Sequence, residues 1–502
     1  MEPGTPAAEH TSRRRRRFLE LILAMLLVAL IVGGAVPYVS GPGRSYLSYL
    51  VLADRQDAEG AEHAAEQARA AGGRVVQGYP QIGAVLAYAT GGFAQRLRTK
   101  PGIAAVGATR TATVPSPPGP LTGADFRRSQ EGAPASDAAE GNLADPREED
   151  DWNLAMIGAA DPLPASSALL RSASDRSGTP LAPTPAALGG VLVAVLDSGV
   201  DDTHPDLRDA VDPRASVSCA DGRPDARYGA WRPDEGVSES GHGTHVAGIV
   251  GAARDGHGVT GVAPGVRIAA VRLLGPLGQY YAENIVCGML WAADHGARAI
   301  NDSYFADPWK YNCPEDPDQA ALTRAVARAV AYAQSRGSVV VASAGNDGQD
   351  LQADRIDRRS PNDRTSGPAQ DRYLGTECIR LPGELPGVVT VSAVDRSGVP
   401  AGYTNYGLGR VSLAAPGGDP DGGPEGAVVS DWPGDRYAAL AGTSMAAAHV
   451  TGAVAVVAAE HPGWGSQEIT AHLAATAAAN CPPGPDTCGD RRFYGAGVLA
   501  LP

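Results

Sequence analysis

The stretch Ala441-Gly442-Thr443-Ser444-Met445-Ala446, followed by the Ala/Val-rich run 447–459, decides how the rest of the chain is read. It sets a serine at the start of an apolar helix. A serine hydroxyl is a poor nucleophile at its ordinary pKa, so a catalytic reading requires a histidine base and a carboxylate that orients the base. Both are present. Asp197 closes an apolar run in Val195-Leu196-Asp197-Ser198-Gly199-Val200. Then Gly241-His242-Gly243-Thr244-His245-Val246-Ala247-Gly248 opens a helical stretch. Taken alone, Asp197 is an ordinary turn aspartate. His242 and His245 have an i, i+3 spacing that metal ligands also use, but no HExxH pattern or third clustered ligand accompanies them. No metal site is expected there.

From residue 152 onward, apolar runs at 190–196, 266–274, 298–301, 338–342 and 388–393 alternate with helical stretches at 242–253, 282–295, 318–335 and 444–459. The runs are continuous rather than alternating in polarity, which implies strands buried on both faces. A parallel sheet between layers of helices satisfies that pattern. Sites in such folds form at the carboxyl ends of the strands, where Asp197 falls.

At these residues the chain resembles the subtilisin-like serine proteases, or subtilases. The Asp-Ser-Gly, His-Gly-Thr-His and Gly-Thr-Ser-Met-Ala segments occur in the order Asp, His, Ser, and the resemblance covers 152–502. Ser444 lacks a glycine at +2, so it is not the GxSxG elbow of a lipase or esterase. The resemblance implies an α/β fold of three layers, with a mostly parallel sheet between helices. It implies a serine endopeptidase in which Ser444 attacks the scissile carbonyl, His242 carries the proton and Asp197 fixes the imidazole tautomer. Val341-Ala342-Ser343-Ala344-Gly345-Asn346-Asp347-Gly348 resembles the family's oxyanion segment, with Asn346 as donor. Gly275-Pro276-Leu277-Gly278-Gln279-Tyr280 resembles the edge that pairs with an extended peptide, and Asn301-Asp302-Ser303-Tyr304 the opposite wall. Gly275, Leu277, Gly278, Ser303, Tyr304, Ala344 and Gly345 are the implied substrate-binding positions. Leu277 and Tyr304 suggest pockets that tolerate apolar side chains.

Two departures stand out. Ala447-Ala448 replaces the family's usual Ser-Pro ahead of His449, and Asp302-Ser303-Tyr304-Phe305 replaces the common Ser-Leu-Gly wall.

Residues 45–110 read as strand, helix, strand, strand, helix, strand at 46–53, 59–71, 74–79, 83–89, 93–99 and 103–108. That βαββαβ order is the small α+β ferredoxin-like unit. By position and element order it resembles the subtilase propeptide, a folding chaperone and inhibitor. The Pro-, Ala- and acid-rich segment 111–151 reads as an exposed linker with a candidate self-processing site.

The basic segment 1–17 carries Arg13 to Arg17 and precedes an apolar run at 18–36. This pairing directs export, with the arginines cytoplasmic. Gly33-Gly34-Ala35 suits a signal peptidase, while 19 residues reach roughly the 30 Å of a bilayer core, so cleaved signal and retained anchor both stay open. The catalytic part is extracytoplasmic in either case, secreted or anchored.

Net charge is −14, and the body is more acidic still because 1–17 is basic; a nucleic-acid partner is not expected. The expected partners are protein or peptide substrates and the chain's own propeptide. Six cysteines in an exported chain favour disulfides, and six allow 15 pairings. Cys481 and Cys488 flank a short loop and form the first pair proposed; Cys313 with Cys378 and Cys219 with Cys287 follow by elimination. No cofactor is required for catalysis. Structural calcium is common in the family, and Asp201, Asp202, Asp206 and Asp209 form an acidic cluster that surface solvation explains better. A silent binding protein of the same fold is the competing class, disfavoured by the complete set of Asp197, His242, Ser444 and Asn346.

Overall fold

The computed structural model of the protein describes residues 46–113, 151–159, 185–237, 240–363, 371–480 and 488–501. The expected signal or anchor run at 18–36 and most of the linker lie outside them.

Seven parallel strands form the central sheet: β5 (Leu192–Asp197), β6 (Val217–Ser218), β7 (Arg267–Arg272), β8 (Ala299–Asp302), β9 (Val339–Ser343), β10 (Val389–Val394) and β11 (Leu413–Pro416). Their order across the sheet is β11-β10-β9-β8-β5-β7-β6. Every residue of β5, β8, β9 and β10 is buried, as runs such as Leu-Val-Ala-Val-Leu and Val-Val-Val-Ala require.

The period of two along β5 divides the core. Val193 and Val195 face one layer with α4 (His242–Gly251) and α7 (Thr443–Glu460), whereas Leu192, Ala194 and Leu196 face α5 (Ala282–Asp294) and α6 (Pro317–Ser335). Asp316 caps α6 through bonds from the Asp318 and Gln319 amides, and Pro317 occupies its first position. Helix α7 is buried from Thr443 to Ala458. Among the described residues it is the one helix long and apolar enough to cross a membrane, yet 89% of it is buried, which makes it a core helix.

The N-terminal unit has the expected order: β1 (Leu47–Ala53), α1 (Ala58–Ala70), β2 (Arg74–Tyr79), β3 (Ala84–Ala89), α2 (Phe93–Leu97) and β4 (Ile103–Ala108). Its antiparallel sheet runs β2-β3-β1-β4. One face packs Val51 and Val85 against Ala64, Ala68, Phe93 and Leu97. The other face presents Leu50, Leu52 and Leu86 to the layer of α5 and α6. Gly107 makes the close approach feasible, since a Cβ there would lie 2.5 Å from the Asp318 carbonyl oxygen. Arg110 leaves β4 and donates to the fully buried carboxylate of Glu283 at 2.9 Å, with its guanidinium 4.1 Å from the Tyr281 ring centre.

Cys219 is bonded to Cys287 and Cys313 to Cys378. The proposed partner of Cys488, Cys481, lies outside the described residues. The sequence reading missed β6, β11, helix α8 (Ser466–Ala479) and the antiparallel hairpin of β12 (Val428–Trp432) and β13 (Arg436–Leu440). It also ran the helix at 242–253 two residues too far.

Candidate active site

Asp197 is the last residue of β5 and is wholly buried. His242 is the first residue of α4, and Gly243 behind it has to be glycine: a Cβ there would meet the Gly199 carbonyl oxygen at 2.4 Å and the Asp197 Cβ at 2.9 Å. This close packing sets His242 Nδ1 2.9 and 3.0 Å from the two Asp197 carboxylate oxygens. Asp197 Oδ1 also accepts the Ser198 amide at 2.6 Å and the Tyr280 hydroxyl at 3.3 Å. Ser198 Oγ in turn accepts the Gly243 amide at 2.9 Å and donates to the Ser240 carbonyl at 2.7 Å, so one side chain pins the helix start to the strand end.

His245 has a different fate. Its Nε2 donates towards the Ala438 and Val428 carbonyls at 2.9 and 3.2 Å, on the β12–β13 hairpin, and burial lowers its pKa to about 3. It is a core histidine. His449 is likewise buried, lowered to about 4, with Nδ1 2.8 Å from the Met445 carbonyl and Nε2 3.0 Å from Asn153. Helix α7 runs unbroken through Ala447-Ala448, the place of the missing Ser-Pro.

Ser444 is the second residue of α7. Its hydroxyl donates to the Ser303 carbonyl at 3.2 Å, and Ser303 Oγ donates back to the Ser444 carbonyl at 3.2 Å. Asn301, one residue before the end of β8, holds this wall by donating to Ser303 Oγ at 2.9 Å. On the other side of Ser444, Asn346 Oδ1 accepts the Thr443 amide at 3.0 Å and the Thr443 hydroxyl at 2.7 Å. The Asn346 Nδ2 group is thereby turned to Gly442, where a Cβ would sit 3.2 Å from it. Asn405 braces the same loop: it donates to the Ala344 carbonyl at 3.0 Å and accepts the Asp347 and Gln349 amides at 3.1 and 3.0 Å. Gly345 has φ +105°, and a Cβ there would strike Asn405.

Of the implied substrate-binding positions, Gly275 and Gly278 close a tight turn. The Gly278 amide donates to the Gly275 carbonyl at 2.9 Å, and the Gly275 amide to the Gln279 carbonyl at 3.1 Å. Leu277 at its tip is 65% exposed. Tyr304 is engaged within the protein. It is buried, stacks on Tyr280 at 4.9 Å between ring centres, and gives its hydroxyl to Asp302. Burial pushes the Asp302 carboxyl up to about 8 against the lowering effect of that bond, and the neighbouring Asp197 charge adds to the rise.

Of the acidic cluster after Asp197, Asp209 is exposed as expected, whereas Asp201, Asp202 and Asp206 are engaged by the protein. Asp201 accepts Thr203 and the Gly434 amide, Asp202 pairs with Arg232 at 2.5 Å, and the buried Asp206 accepts the Val259 amide and the Tyr437 hydroxyl. Protein donors take the place of water, because the segment packs beneath the hairpin. His204, Asp206 and Asp431 do gather within 4.8 Å, but an imidazole and two carboxylates are a poor match for calcium's shell of six to eight oxygens. Ser198 falls within the Asp-Ser-Gly segment but its role was not foreseen, and nothing local marks Asn405; their contacts reach across 45 and 61 residues.

A parallel α/β sheet with an aspartate–histidine pair at its carboxyl edge, and a serine at the start of the helix beside it, defines a serine hydrolase of the three-layer type. The Subtilase family model matches residues 189–497, more than half of the chain, and the chain belongs to that family: it is a subtilisin-like serine protease. Subtilisin BL of Lederbergia lenta is 32% identical over 310 residues, spanning 62% of this chain and 88% of that protein. Subtilisin E of Bacillus subtilis is 31% identical over 309 residues, spanning 62% of this chain and 64% of that protein. Among solved structures, fervidolysin of Fervidobacterium pennivorans, a keratinolytic enzyme, superposes with a TM-score of 0.59 at 25% identity, over 92% of this chain and 61% of that one. The epidermin leader peptide processing serine protease of Staphylococcus aureus shares the fold with a TM-score of 0.61 at 20% identity, over 91% of this chain and 97% of that one.

Proposed function

We propose that the protein is an exported endopeptidase, made as a self-processing zymogen, with Ser444 as nucleophile, His242 as base and Asp197 as the group that orients it. The observation that carries this reading is the pairing of His242 Nδ1 with both oxygens of a fully buried carboxylate. That contact leaves Nε2 as the proton acceptor. Ser444 Oγ attacks the substrate carbonyl while His242 takes its proton, and the oxyanion is held by the Asn346 side-chain amide and the Ser444 backbone N–H. His242 then gives the proton to the leaving amine, and water repeats the sequence on the acyl-enzyme. Chemistry of this kind needs no cofactor.

The unit at 45–110 is proposed as the inhibitor domain, with cleavage inside 111–151. Its support is the fit of β4 against α6 and the buried Arg110–Glu283 bond. Thr111 and Ala112 continue that path by giving their amides to Asp363 at 2.8 and 3.2 Å. Export is supported by the basic and apolar N-terminal run together with two disulfides.

A fluorophosphonate probe should label the purified protein and fail to label Ser444→Ala. N-terminal sequencing of both should find a processed chain in the wild type only. Identical processing in the two would remove self-cleavage from the proposal, and an unlabelled wild type would remove the nucleophile.

A further inference from the structure

Beside Ser444, the wall that begins at Ser303 and the segment that carries Asn346 enclose two basic side chains. Arg380 gives its guanidinium to the Ser343 carbonyl and, at 3.4 Å, to the Ser343 hydroxyl. Its Nε would lie 3.3 Å from a Cβ on Gly345, next to Asn346, and this nitrogen has no hydrogen-bond partner. Lys310 pairs with Asp347, the residue after Asn346. Both cations flank the Phe305 ring, at 5.8 Å for Arg380 and 5.9 Å for Lys310, and Phe305 stands two residues beyond Ser303. Arg380 and Lys310 are each 5% exposed.

Charge accounting makes this cluster unusual. Asp347 answers Lys310, and Glu384 answers Arg355 at 2.6 Å. Among the described residues no carboxylate pairs with the Arg380 guanidinium. An unpaired buried cation is costly, and a guanidinium does not shed its proton to escape that cost. A charge kept in this way, with a donor still unpartnered next to the oxyanion segment, suits an anionic ligand.

We propose that this cluster selects an acidic side chain, glutamate or aspartate, at the substrate residue whose carbonyl Ser444 attacks, with Arg380 as its charged floor and Lys310 held neutral overall by Asp347. The inference rests on the protease reading above. Charge complementarity within the chain agrees with it. The segment 111–151, where self-cleavage is proposed, holds nine acidic residues against three basic ones, including the run Glu148-Glu149-Asp150-Asp151.

The test uses the purified full chain and a set of peptides identical except for Glu, Gln, Phe or Lys at the cleaved position. Glu should exceed Gln in kcat/KM by about tenfold or more, as expected for a site built around an otherwise unpartnered charged donor. Arg380→Gln should bring the Glu-to-Gln ratio close to one. If Arg380 only clamps the Ser343 carbonyl, the variant will lose both substrates in proportion and keep the ratio, which overturns the proposal. The wild-type ratio stands by itself should the variant fail to fold: a ratio of one or below, or a preference for Phe or Lys, also overturns it. In either case fluorophosphonate labelling of Ser444 would leave the protease reading intact; absence of labelling and of hydrolysis together would remove both.

Discussion

Asp197 and Asp302 end neighbouring strands, both are fully buried, and their environments have little else in common. Asp197 accepts a backbone amide, a tyrosine hydroxyl and the His242 ring. Asp302 receives the Tyr304 hydroxyl on one oxygen, and its other oxygen has no partner. Burial therefore raises Asp302 to about 8 and leaves it protonated at neutral pH. At one sheet edge, the number of donors aimed at a carboxyl group decides whether it serves as a working anion or a neutral filler. The two are linked by the stacked rings of Tyr280 and Tyr304.

The contrast breaks most severely at Asp197. Asp197→Asn preserves the shape but presents the wrong tautomer to His242, and kcat should fall by about 10⁴-fold, as in other serine proteases. A loss below tenfold, measured on a chromogenic peptide, would mean that Asp197 does not orient the base.

Asp302→Asn should leave the catalytic constant within a few-fold and act on stability instead. A folded-state value raised from 3.8 to about 8 gives stability that is complete below pH 3.8 and is drawn down as pH rises to about 8. In a Ser444→Ala background, which avoids autolysis, the asparagine variant should melt on the order of 5 °C higher than its parent at pH 8. At pH 4 the difference should nearly vanish. An equal shift at both values would show that Asp302 is not titrating.

Tyr280→Phe deletes a long, charge-assisted hydrogen bond to the Asp197 carboxylate, worth about 1.5 kcal/mol, so kcat/KM should drop about tenfold. The smallest effect is expected at Tyr304→Phe. Removing the bond that favours ionised Asp302 should move the midpoint of the pH–stability curve upward, and a downward movement would contradict the burial argument.

Most of the sheet could be read from the sequence because its strands are continuous apolar runs and its helices carry local boundaries. The Ser444 helix was expected at 444–459 and spans Thr443–Glu460; the strand expected at 298–301 runs Ala299–Asp302, one residue later at each end. Strand β11 escaped notice because Leu413-Ala414-Ala415-Pro416 has no β-branched residue and ends in proline. The hairpin was hidden by Asp431 and Arg436, which interrupt its apolar pattern. Within the site, Asp197, His242, Asn346 and Ser444 were legible because each lies in a short contiguous motif, although the contacts that join them are long-range. Asn405, Arg380 and Lys310 were not, because only tertiary packing brings them to the loop around Asn346. Asp302 was seen as a departure from the family wall, but its neutral state depends on burial that no local pattern reveals.

The bond between Cys313 and Cys378 lies three residues beyond Lys310 and two before Arg380. The two cations of the proposed cluster thus belong to loops that are covalently one piece, although 70 residues separate them along the chain. A reductant should therefore blur discrimination between Glu and Gln before it abolishes hydrolysis, since Asp197 ends a strand held by the sheet and the loop of Asn346 is braced by Asn405. Selectivity in this protein would then be a property of the oxidised form, acquired with the compartment rather than encoded in the folded sheet alone.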